Sequence, residues 1–196
     1  MQRHRQSKKK LHGRQSNPAP AGLTPQWHKH PAVRFLIPFV GVICVFYLIW
    51  LTPWFRENIL EGILRINAMV GAGVLALLGQ GTTSDGTRVE GTRFILDIKR
   101  GCDAVEPSAL FSAAVLAFPV PGGKRAAGIL AGIACLIVLN VFRIVSLYFV
   151  GAYFPKVFHM VHVDVWQALF ILITLFLWIA WARWALRGVR PGDAQT

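Results

Sequence analysis

Three side chains in this 196-residue sequence are of types that do chemistry together: a cysteine, an arginine and a histidine. Cys102 opens the stretch "CDAVEPSALFSAAVLAFPVPGGKR" (residues 102–125), with Lys99 and Arg100 on one side of it, Asp103 and Glu106 on the other, and a long apolar run beyond. Arg143 is the only basic residue of "LIVLNVFRIVSLYFVG" (136–151), and Asn140 and Ser146 stand three residues to either side of it on one helical face. His162 lies in "FPKVFHMVHVDVWQALF" (154–170), with His159 about one turn before it, Trp166 one turn after, and Asp164 pointing elsewhere. A thiol and an imidazole within reach of one another form a nucleophile and its base, and a guanidinium beside them can hold a thiolate or the oxyanion of a tetrahedral intermediate. An arginine in an apolar span is costly enough to mark a functional site; snorkelling to the nearby boundary is the plainer use, but it does not need the Asn140 and Ser146 stripe.

No rival constellation competes. The chain has no serine elbow, no HExxH and no glycine-rich phosphate loop. Cys44, Cys102 and Cys135 make no CxxC pair and no metal-ligand spacing, so neither metal nor cofactor is expected; Cys44 and Cys135 lie inside apolar runs as small hydrophobes. A thiol redox carrier is disfavoured, because Cys102 has no second cysteine on its own side of the membrane.

The elements that must position these residues are membrane helices. With 54% hydrophobic residues and a mean hydropathy of +0.48, the chain reads as one polytopic, all-α membrane domain over about 33–186. Residues 1–32 form a basic tail with Arg3, Arg5, Lys8, Lys9, Lys10, Arg14 and Lys29 and no acid, expected to be disordered, cytoplasmic and in touch with anionic lipid rather than nucleic acid. Residues 187–196 form a short cytoplasmic C-terminal tail. Four apolar stretches, 35–51, about 104–121, 126–153 and 163–182, approach the roughly 20 residues a span requires. The first lacks a small-residue cleavage site after it and stays as an anchor.

A fifth stretch, 55–79, carries Arg56, Glu57, Glu61 and Arg65 in its first half and is expected to lie at the interface as an amphipathic helix with its tail dipping in. Parity supports this. If the basic tail and the loop with Lys124 and Arg125 are both cytoplasmic, residue 52 and Cys102 share the outer face. That arrangement puts thirteen of the 21 Lys and Arg inside and eight of the nine acids outside, a consistent positive-inside bias. Between them, the Asp85-Gly86 and Glu90-Gly91 turn signals and the alternation of Phe94, Leu96 and Ile98 with Ile95, Asp97 and Lys99 predict a small outward-facing β-hairpin.

Arg143 is about 18 residues, roughly 27 Å of helix, from Arg125, and His162 stands at a similar distance from Arg183, so Cys102, Arg143 and His162 are expected at one depth near the outer boundary. Two starts are open for the helix after the cysteine. Asp103 as N-cap with Glu106 would imitate a capping box and set the thiol at the positive end of the dipole; Pro107 as the first helical residue would set it farther off.

These residues resemble the exosortase/archaeosortase membrane transpeptidases, and within them the short exosortase H subgroup. The resemblance covers about residues 33–186 and rests on "RGCDAVEP" with "LAFPVP", on "LNVFRIVSLYFVG" and on "FHMVHVDVWQ". It implies a membrane cysteine transpeptidase with Cys102, Arg143 and His162 catalytic, and Asn140, Ser146 and Glu106 are the supporting candidates. Its partners would be exported proteins carrying a C-terminal sorting signal made of a short motif, a hydrophobic helix and a basic end, cut on the outer face of the cell's inner membrane. One departure stands out: the family's small Asn-Gly turn after the cysteine is Asp103-Ala104 here, which adds a negative charge and removes glycine's freedom. The alternative to an enzyme is a multi-pass assembly factor or scaffold in which Arg143 pairs with an acid.

Overall fold

The computed structural model describes residues 31–187. The expected basic tail lies outside this range except for its last two positions, and the C-terminal tail lies outside it except for Arg187. Within the range the chain runs through α1 (Pro31–Trp50), a π-helical turn (Phe55–Leu60) continued by α2 (Glu61–Leu77), strands β1 (Thr83–Asp85), β2 (Arg88–Glu90) and β3 (Ile95–Asp97), then α3 (Val105–Ala117) and α4 (Gly122–Tyr153). A 3₁₀ turn (Pro155–Val157), a short α5 (Phe158–Met160) and a second π-helical turn (Val161–Val165) lead into α6 (Trp166–Leu186).

Four helical stretches are long and apolar enough to cross a membrane: Ala32–Trp50, Phe55–Leu77, Gly122–Tyr153 and Pro155–Leu186. Three of these cover stretches expected as spans, and the fourth, residues 55–77, has the length and composition of one. The stretch expected as a span over 104–121 forms only the 13-residue α3, about 20 Å long at 1.5 Å per residue and short of a hydrocarbon core of about 30 Å. Proline ends it: Phe118 precedes Pro119 and is extended (φ −80°, ψ 133°), as the clash with the proline ring demands.

Residues 55–77, expected to lie flat, have the length to cross. This segment borders the cysteine loop at its start and the approach to the sheet farther on. At the start, Pro53, Arg56, Leu60 and Leu64 border one cavity with Arg100. Farther on, the carbonyl of Ala72 accepts from the hydroxyl of Thr82 at 2.9 Å, just before β1. The buried stripe Leu64, Ala68, Ala72 and Leu75 repeats at three or four residues and packs against the sheet and α4. Arg65 and Glu61 pair on the exposed side.

The expected hairpin gains a strand. The sheet is antiparallel in the order β1-β2-β3, with Asp85 opposite Arg88 and Glu90 opposite Ile95. The alternation holds: Leu96 and Ile98 are buried and Phe94 is partly buried, while Ile95, Asp97 and Lys99 are exposed.

At the opposite end, the first turn of α4 ties helix ends together. Lys124 Nζ donates to the carbonyls of Ala185 (2.7 Å) and Arg187 (3.0 Å), and Arg125 Nε donates to that of Phe118 (3.1 Å). These are the orphan carbonyls at the ends of α6 and α3, where a cation also meets the negative end of the dipole. Glycine lets the helices close: a Cβ at Gly132 would sit 2.0 Å from the Phe111 ring of α3, and one at Gly128 would sit 2.0 Å from Nε1 of Trp181 on α6.

Candidate active site

The cysteine loop is built by its own main chain. Cys102 N–H donates to the carbonyl of Lys99 at 2.9 Å, closing a turn in which Gly101 takes a φ of +87°. Asp103 then bridges the turn: Oδ1 accepts from Val105 N–H at 2.8 Å and Oδ2 from Gly101 N–H at 3.2 Å. Ala104 is left-handed (φ 59°, ψ 8°), and α3 begins at Val105. Neither expected helix start is the one adopted. Asp103 precedes the cap, and Pro107 is the third helical residue, where a missing N–H leaves no helical bond unmade.

Three helical segments converge on this loop. Cys102 Sγ lies 2.9 Å from His162 Nε2. The histidine projects from the second π-helical turn, a local widening of the helix that recurs at functional sites, and its ring stands 5.6 Å from that of Phe158. From α4, Arg143 Nη1 donates to the carbonyl of Gly101 (2.9 Å) and Nη2 to that of His162 (3.3 Å), while the guanidinium lies over the Phe170 ring at 5.4 Å. One arginine thus grips the main chain on both sides of the thiol and imidazole contact. One turn earlier on α4, Asn140 Nδ2 donates to the carbonyl of Cys102 (3.0 Å) and to Oδ1 of Asn67 (3.3 Å).

Cys102, Asp103, Asn140 and Arg143 are all buried. Burial pushes the Cys102 thiol above its ordinary range; the charge of Arg143 works against this and that of Asp103 adds to it. Burial also raises the Asp103 carboxyl, opposed by the N–H groups of Val105 and Gly101 and by Arg143. A groove of about 380 Å³ opens beside the cysteine loop, with Gly101, Asp103, Glu106 and Arg143 at one end and apolar walls from Phe39 of α1, Phe111 of α3, and Phe170 and Trp178 of α6.

The structure brings Cys102, Arg143 and His162 together and puts Asn140 against the cysteine's own carbonyl. Glu106 lines the groove. Ser146 does not join the site: its hydroxyl donates back to the carbonyl of Arg143 within α4 at 2.8 Å, the usual resort of a serine in a helix. His159 and Asp164 are exposed. Asn67 was missed by the sequence reading, although it is the one side-chain amide in the apolar half of its helix and falls on the same face as Gly71 and Leu64. Among the described residues no cluster of His, Cys, Asp or Glu could hold a metal ion.

Comparison with known families agrees with the geometry. The family model described as "Transmembrane exosortase (Exosortase_EpsH)" matches residues 27–179, most of the chain and every residue of the cluster. No curated protein and no solved structure matches. With four helices able to cross a bilayer and a family match over this length, the chain is a multi-pass membrane protein that belongs to the transmembrane exosortase family.

Proposed function

We propose that this protein is a cysteine-type membrane transpeptidase that cuts the C-terminal sorting signals of exported proteins through a thioester on Cys102. The observation that carries the reading is the 2.9 Å contact between Cys102 Sγ and His162 Nε2 in a buried site gripped by Arg143. Family membership supports the transpeptidase class in general.

The chemistry follows from the geometry. With Nε2 2.9 Å from Sγ, His162 acts as the general base that takes the thiol proton. Sulfur bonds to the scissile carbonyl carbon as the proton passes to Nε2. The carbon–nitrogen bond then breaks, and the same proton goes to the leaving amine. An amine acceptor or water next displaces the sulfur. Arg143 supplies a fixed positive charge beside the developing oxyanion, while its grip on the carbonyls of Gly101 and His162 keeps the two reacting segments in register.

The proposed orientation sets Lys124 and Arg125 in the cytoplasm and the site on the outer face of the inner membrane, with both termini cytoplasmic. Residues 55–77 then rest at the outer interface under the sheet, and the inward passage from Cys102 to Lys124 is made by α3, packed among α1, α4 and α6, together with residues 118–121 after it. The test is co-expression with tagged substrates bearing a panel of C-terminal signals, comparing wild type with Cys102→Ala at matched membrane levels. Shedding of the tag by wild type alone is the expected result. Equal shedding by both, or none by either from well-inserted protein, would overturn the reading in favour of a scaffold.

A further inference from the structure

We propose that Asp103 is a positioning residue whose carboxylate holds the neighbouring Ala104 in a left-handed turn, and so aims the Cys102 thiol at His162. The inference rests on the reading of Cys102 as the nucleophile.

Ala104 is the one residue other than glycine with a positive φ among the described residues, at 59°. An L-residue with a Cβ is disfavoured there, because the Cβ crowds the carbonyl, and something must offset the cost. From α4, Arg143 and Asn140 bond the carbonyls of Gly101 and Cys102 earlier in the turn. Across Ala104 the turn has Asp103, which is 5% exposed and has both carboxylate oxygens occupied by main-chain donors: Oδ1 by Val105 N–H at 2.8 Å and Oδ2 by Gly101 N–H at 3.2 Å. The two donors straddle Cys102 and Ala104, so the carboxylate staples the turn from both sides. Cys102 itself contributes N–H to Lys99 and carbonyl to Asn140, which leaves its side chain as the free end of a pinned loop.

Both oxygens must accept, and this fixes the residue type. An asparagine has the same shape but one acceptor; its amide nitrogen would face the N–H of Gly101 donor to donor. Glutamate reaches past the turn. Glycine at position 104 would take the left-handed conformation without a staple, because it has no Cβ to clash. Asp103 and Ala104 are therefore a compensated pair, and a defect made at the first is repaired at the second. The charged side chain acting on Asp103 is Arg143 of α4, and Glu106 lines the same groove; neither replaces its two acceptor positions.

The experiment compares wild type, Asp103→Asn and the double variant Asp103→Asn/Ala104→Gly at matched membrane levels, with two readouts. The first is tag release, separated into kcat and KM. The second, independent of any proteolysis, is amide hydrogen exchange of the segment 99–108 in detergent. Asp103→Asn is expected to lower kcat about tenfold with KM unchanged and to speed exchange in that segment by a similar factor, the effect of losing one charge-assisted hydrogen bond. The double variant should return both to within about threefold of wild type, since glycine removes the need for the staple. If the single variant fails to accumulate, accumulation of the double counts as the rescue. Two results would overturn the proposal: a single variant indistinguishable from wild type, or a double no better than the single. If wild type itself releases no tag, the transpeptidase reading falls while the exchange measurement still decides the pairing.

Discussion

Among the individual residues, the site is a buried thiol against an imidazole, and its behaviour follows from that burial. Since burial lifts the Cys102 thiol above the ordinary range and Arg143 is the main influence pulling it down, Arg143→Met should raise it further. The alkylation rate of Cys102, measured across pH with Cys44 and Cys135 replaced, is expected to keep climbing past the pH where a free thiol levels off, and the Arg143→Met curve should lie still farther to alkaline pH. A shift to lower pH would mean that the arginine's charge does not act on the sulfur. The base is tested separately. His162→Ala should cut tag release by about 10²-fold or more, the usual worth of a positioned general base, with membrane insertion intact. His159→Ala, one turn away and exposed, should cost little. Cys102, Arg143 and His162 could be singled out in the sequence because Arg143 stands inside an apolar run and the other two stand beside one. The part played by Asp103 could not, because it depends on two backbone donors whose directions only the folded turn defines.

At the scale of the element, the molecule is held by what happens at helix ends and at close crossings. Lys124 satisfies two carbonyls at the C-terminal end of α6, and its removal leaves them to find other partners. Lys124→Ala should therefore lower thermal stability by about 1 kcal/mol, read as a drop in melting temperature in detergent, and Lys124→Arg should recover most of it. The sequence marked this lysine only as a topology signal; its capping role appears once the end of α6 is seen beside the start of α4. Crossing points are less forgiving. Gly132→Val drives a side chain into the Phe111 ring, and because α3 carries the cysteine loop at its other end, the expected result is poor accumulation, with a cost of about 3 kcal/mol or more. The elements themselves were readable from apolar length, except where proline intervened. Residues 104–121 looked like a span by composition, and Pro119 cut the helix to 13 residues.

At the scale of the whole molecule, polarity runs from a capped basic end to a site with a small sheet beside it. If the proposed orientation is right, single cysteines placed at Thr52 and Ser84 should react with an impermeant maleimide from outside the cell, and one placed at Gly123 should react only after permeabilisation. Labelling of the Ser84 position only from the inside would show that residues 55–77 cross the bilayer after all. That this is a multi-pass membrane protein can be read from the chain alone, since apolar run length and charge asymmetry are local quantities that a bilayer reads directly. Which polar side chains meet depends instead on how the helices pack. Cys102 and His162 are 60 residues apart, and Asn140 and Ser146 flank Arg143 symmetrically in sequence, yet the packing of α4 brings Asn140 to the cysteine's carbonyl and leaves Ser146 bonded to its own helix. Periodicity fixes which face a residue shares within one helix, whereas the rotation and crossing of helices, set by contacts such as Gly132 against Phe111, fix what that face touches.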